Sequence, residues 1–108
     1  MDKRLWLCFH KALEDRFHSL CPVLLKQYGS LEEAGKDPLL RKNPYFTEDE
    51  KLKLARLDSF YEELPPFVEM IGMEDPAYPK RLVQYYLPPA VLYYIGDVTL
   101  LKKRLLQL

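Results

Sequence analysis

Four residues of this chain have types that could ligate a metal or act as nucleophile and base: Cys8, His10, His18 and Cys21. A metal centre needs three or four converging ligands, and neither Cys8 with His10 nor His10 with His18 is joined by a second cluster. His18 and Cys21 could pair as base and thiol, yet nothing beside them supplies an oxyanion hole or an orienting carboxylate. The expectation is buried thiols and surface histidines, with no catalytic group, metal or cofactor. The acidic run Glu48, Asp49 and Glu50 follows Thr47 and falls in the first turn of a helix, where negative charge is stabilised by the helix dipole. Capping accounts for it without acid-base chemistry.

Phosphate recognition is the other chemistry within reach. Arg41 and Lys42, with Lys51 and Lys53, form one basic group, and Lys102, Lys103 and Arg104 form a second. Contacts of this kind release counterions, so the affinity they confer falls steeply with salt. The chain as a whole offers no broad positive field, because 16 basic and 16 acidic residues cancel. Residues 1–66 carry 11 basic and 12 acidic groups, and residues 67–108 carry 5 and 4. Tyr85, Tyr86, Tyr93 and Tyr94 could stack on bases, but strand alternation sets Leu92 and Tyr94 against Val91, Tyr93 and Ile95, so some of these rings are expected in the core.

These residues need elements to position them. A hydrophobic fraction of 48% against 30% charged is ordinary for a globular chain. From Asp2 as N-cap, Leu5, Cys8, Phe9 and Ala12 recur at helical spacing, with Trp6 and Leu13 widening the apolar face. Pro22 suits the first turn of a second helix over residues 23–28, closed by Gly29. Ser30 with Glu33, and Thr47 with Glu50, match capping boxes. The second of these opens the longest expected helix, in which Leu54, Leu57, Tyr61 and Leu64 form the apolar stripe. Pro65 and Pro66 end it. Residues 67–71 and 90–95 then read as strands, with a proline-started helical turn after Tyr78 and Pro79 between them. Asp75 starts the turn at Pro76, and Asp97 caps a last helix through Leu100 to Leu106.

The stretch MEDPAYPKRLVQYYLPPAVLYYIGDVTLL resembles the segment that precedes the nucleotide-binding-like core of the DprA/Smf family. The residues that carry the resemblance are Asp75, Pro76, Tyr78, Pro79, Leu82, Pro88, Pro89, Leu92, Tyr93, Gly96, Asp97, Leu100 and Leu101. Upstream, Leu24, Leu25, Tyr28, Gly29 and Ser30 are similar to the family's N-terminal helical module. The resemblance implies a mainly α fold, with a small SAM-like helical bundle in residues 1–66 and, in residues 67–108, a short β-containing extension of a Rossmann-like domain. It also implies a role in natural transformation, in which the full-length protein binds incoming single-stranded DNA and helps load the RecA recombinase. Two departures stand out: residues 14–19, where the family often has a glycine-containing hairpin, contain no glycine, and the family's GSR-type motif is not in this sequence.

Three readings follow. The preferred one is a non-enzymatic auxiliary module that positions or regulates a DNA-binding core and presents a surface to a regulatory protein. The second is an autonomous helical DNA-binding module using Arg41, Lys42, Lys51 and Lys53. In the third, Leu100, Leu101, Leu105 and Leu106 pair with another chain or with a second copy, because an apolar helix of this kind calls for a neighbour. The apolar stretch after Lys3 and Arg4 is far shorter than a membrane span, and two cysteines without a disulfide framework suit a reducing compartment. A cytoplasmic location is expected.

Overall fold

A computed structural model of the chain describes residues 2–84 and 87–95. It separates into two units, Asp2–Glu62 and the residues from Glu63 onward. The fold is mainly helical, with one small antiparallel sheet.

In the first unit, α1 (Lys3–Leu13) begins where the Asp2 carboxylate accepts the Leu5 N–H at 3.2 Å. This satisfies one of the amides that a helix start leaves without a partner. Its apolar face buries Trp6, Cys8, Phe9, Ala12 and Leu13. Helix α2 (Phe17–Tyr28) buries Phe17, Leu20, Cys21 and Leu24. It ends at Gly29, whose φ of 86° lets its N–H reach the Leu25 carbonyl at 2.8 Å. Ser30 Oγ accepts the Glu33 N–H and starts α3 (Leu31–Lys36). A 3-10 turn, Leu40–Lys42, places Leu40 in the core. Thr47 and Glu50 then form a complete capping box at the start of α4 (Glu48–Leu54).

Two helices differ from expectation. α2 begins at Phe17, not beyond Pro22, and Pro22 lies inside it. The proline removes one backbone bond, but burial of Phe17, Leu20 and Cys21 around it stabilises the extra turns. The expected long helix stops at Leu54 instead of running to Leu64. Arg56 leaves the helical region at φ −129° and ψ 42°, and Leu57–Phe60 winds as a 3-10 turn against α1. That bend brings the Tyr61 ring to 4.0 Å from the Arg4 guanidinium and Glu62 to 2.7 Å from Lys11. A continued helix would carry both residues past α1.

Between α1 and α2 the chain turns at Glu14, with φ 55° and ψ −133°. This combination suits glycine, and a side chain there is strained by about 1–3 kcal/mol. Its salt bridge to Lys53 is long, 3.8 Å, and exposed on the Glu14 side, so it offsets little. Glu14→Gly is therefore expected to raise the stability of this unit by about 1 kcal/mol after the added freedom of the unfolded chain is counted. Urea denaturation checks this, and a lower midpoint would show that the ion pair outweighs the strain.

In the second unit, β1 (Val68–Gly72) pairs antiparallel with β2 (Val91–Ile95), with Met70 opposite Tyr93 and Ile71 opposite Leu92. Period-two alternation sends Ile71, Leu92 and Tyr94 to one face, where they pack with Tyr78 and Leu82 from the connecting segment. Asp75 organises that segment: its carboxylate accepts the Ala77 N–H and its carbonyl accepts the Tyr78 N–H, both at 2.9 Å. The Tyr78 hydroxyl donates to the Pro89 carbonyl at 2.6 Å, closing the loop. Pro79 precedes a 3-10 turn at Lys80–Gln84. Phe67, expected as the first strand residue, instead occupies the third position of a turn closed by Val68 N–H to the Pro65 carbonyl. It has a φ of 70° and is 86% exposed. The helix expected from Asp97 onward lies outside the described residues.

Candidate functional site

The basic residues singled out by sequence meet different fates. Lys51 pairs with Glu48 at 3.1 Å, and Lys53 pairs with Asp49 at 3.2 Å. Two of the four proposed phosphate contacts therefore already hold carboxylates. Arg41 and Lys42 are exposed on the 3-10 turn before Asn43. Asn43 fixes that turn: its side chain donates to Gln27 Oε1 at 3.1 Å and accepts the Tyr45 N–H at 3.0 Å. Lys102, Lys103 and Arg104 lie outside the described residues, as do Tyr85, Tyr86 and the leucines from Leu100 onward. Tyr94 packs in the small core of the second unit, and Tyr93 is 39% exposed. Burial pushes the Tyr93 phenol above its ordinary range.

Arg41 lines a groove of about 910 Å³ in the helical unit. Its apolar lining is aliphatic: Leu5 from α1, Leu40 from the 3-10 turn, Leu54 from α4 and Leu57 beyond it. Three of its lining carboxylates are hydrogen-bonded within the unit. Asp2 caps α1, and its own N–H donates to Glu32 Oε1 at 2.7 Å. That bond holds the Glu32 carboxyl below its ordinary range. Asp37 accepts from the Tyr28 hydroxyl at 2.6 Å and the Leu39 N–H at 2.9 Å. The Tyr28 bond, then the Leu39 bond, lowers the Asp37 pKa. Arg56, which no sequence pattern marked, also lines this groove, with its guanidinium 5.6 Å from the Phe60 ring centre.

The cysteine and histidine candidates do not assemble into a centre. Cys8 and Cys21 are buried thiols, and burial raises the Cys8 pKa, which disfavours the reactive thiolate. The histidines are half-buried, unlike the surface positions expected: the His10 ring stacks on Phe17 at 5.4 Å and lies 5.2 Å from His18. Among the described residues, no three of His, Cys, Asp and Glu are placed to hold a metal ion, and no helix is long and apolar enough to cross a membrane.

Burial, then the neighbouring His18 and Lys11, lowers the His10 pKa below 6.5, with Asp15 opposing. The unfolded chain therefore binds this proton first on acidification. Stability is full above about pH 6.5, falls as pH drops toward the depressed native value, and levels off below it. Urea midpoints taken from about pH 8 to about pH 5 should fall, and His10→Gln should flatten that part of the profile. An unchanged slope in the variant would assign the effect to other groups.

The acidic run also does more than cap. Glu50 is buried, and the carboxylate oxygen that accepts the Thr47 N–H at 2.8 Å is also ion-paired with Arg16. Arg16 further donates to the Tyr45 carbonyl at 2.9 Å. The short turn after α1 is thereby tied to the start of α4. Compared with protein-family models, curated proteins and solved structures, the chain matches none.

Proposed function

We propose that this chain is a non-enzymatic auxiliary module of a DNA-processing protein of the DprA/Smf kind. Residues 1–66 form its SAM-like part, and residues 67–108 form the edge of a Rossmann-like domain. Its work is to position or regulate the part of such a protein that binds single-stranded DNA, and to present a surface to protein partners while incoming DNA is handled and RecA is loaded.

One observation carries this reading. Several residues behind the resemblance are also those that tie the second unit together: Asp75 through its turn, Tyr78 through its bond to Pro89, and Leu82 and Leu92 through their shared cluster. Such interlocking duties give the spacing a physical basis that composition alone lacks. The competing autonomous DNA-binding reading loses Lys51 and Lys53 to neighbouring carboxylates.

Calorimetric titration with oligothymidylate tests the proposal. This chain is expected to bind weakly, with little dependence on salt. Tight, salt-sensitive binding would overturn it, and loss of that binding on charge reversal at Arg41 and Lys42 would favour the autonomous module.

A further inference from the structure

We propose that residues 98–108 close over the exposed apolar end of the small sheet, and that this contact holds Lys102, Lys103 and Arg104 beside carboxylates and away from phosphates. This deepens the reading of the chain as an auxiliary module that does not itself grip DNA, and rests on it.

The surface is set by the register of the strands. Val68 and Ile95 stand opposite each other where β1 begins and β2 ends. Ile95 is 76% exposed, and Phe67, the residue before Val68, lies almost wholly in water. Tyr93, two residues before Ile95 and so on the same face, is also exposed. Side chains of this size are stabilised by burial and gain none of it here. Phe67 is unfavourable on a second count. Its φ of 70° belongs to the turn position that glycine ordinarily fills, and a bulky residue there is strained. A ring both strained and exposed is the kind of outlier that points to a contact made elsewhere.

Charge and reach select the occupant. The strands and the approach to β1, residues 63–72 and 91–95, contain two acidic residues, Glu63 and Glu69, and no base. Both carboxylates are exposed. A second copy of this end would set carboxylate against carboxylate. Residues 98–108, outside the described ones, have the complementary composition: five leucines with Lys102, Lys103 and Arg104, and no acid. They begin three residues after Ile95, so the tether presents them to the surface at a high effective concentration that a separate partner lacks.

The contact carries a regulatory consequence. An oligonucleotide reaches the three cations only in the open form, so its apparent affinity is reduced by the fraction of chains that are open. Opening the contact therefore uncovers a phosphate-binding group whose affinity is salt-dependent.

Nuclear magnetic resonance on the intact, isotope-labelled chain tests the inference. Overhauser contacts are expected between leucine methyls of residues 100–108 and the Phe67 ring or the Ile95 methyls. They should vanish in Phe67→Gly, which suits the turn, and weaken in Glu63→Lys, a substitution at an exposed position. The double variant should bind oligothymidylate about tenfold more tightly than the unaltered chain, with the gain lost at high salt. Absence of the contacts, contacts seen only between labelled and unlabelled chains, or an unchanged oligothymidylate affinity in the double variant would each overturn the proposal. Tight DNA binding by the unaltered chain defeats the auxiliary-module reading instead, so the two failures are distinguishable.

Discussion

Phe17→Ala is expected to destabilise the helical unit by about 4 kcal/mol, the largest effect of any single substitution considered. Phe17 is fully buried at the first position of α2. Its ring meets Trp6 edge-on, with centroids 5.8 Å apart and planes at 87°, and carries His10 on its other contact. Truncation removes the transfer energy of the ring and leaves a cavity between two helices that cannot close without moving α1. In a unit of this size each kilocalorie is worth roughly 4–8 °C, so melting should fall by about 15–30 °C. Phe17→Leu, which refills most of the volume, should cost under about half as much. A loss near 1 kcal/mol for the alanine variant would mean that α1 and α2 relax onto each other and that this contact is not the centre of the core.

Arg16→Met should be the second most damaging change, at about 3 kcal/mol. The guanidinium is partly exposed, but the Glu50 carboxylate it holds is only 8% exposed and would keep a single amide donor from Thr47. Leaving a buried charge with half its partners costs more than the pair contributes relative to apolar groups. The double variant Arg16→Met with Glu50→Met should therefore recover a large part of the loss, less the capping-box share of about 1 kcal/mol. Denaturation of the four proteins in a double-mutant cycle measures the coupling. Additive losses would show that Arg16 acts through Tyr45 alone and that Glu50 needs only its cap.

What sequence reveals here follows from the range of each interaction. Asp2, Gly29, Ser30 and Thr47 were legible as helix boundaries because a cap is a local arrangement, satisfied within four residues. The split of Leu92 and Tyr94 from Tyr93 and Ile95 was legible for the same reason, since a strand has a period of two. The helix expected past Leu54 failed where tertiary contacts took over: Tyr61 and Glu62 are drawn to Arg4 and Lys11, more than fifty residues earlier. Pro22 misled in the opposite direction, as a local breaker overruled by the burial around it. Arg16 with Glu50, and Arg41 with Arg56, are pairings across folded chain that no spacing announces. Arg41 alone of the last pair was marked, as a phosphate contact. The positive φ at Glu14 was equally hidden, because the residue there gives no sign of the glycine-like conformation it adopts.

Trp6 is the chain's single tryptophan, and it is fully buried within residues 2–62, with no partner for its indole N–H among the described residues. Its emission should therefore be blue-shifted in the native state and should report on the helical unit alone, while tyrosine absorbance, from Tyr28, Tyr45 and Tyr61 as well as the five tyrosines from Tyr78 onward, reports on both units. A tyrosine transition that departs from the tryptophan one is then assigned to the strand-containing unit without any label. Coincident curves would mean that the two units unfold as one cooperative body, and separated curves that each stands by itself.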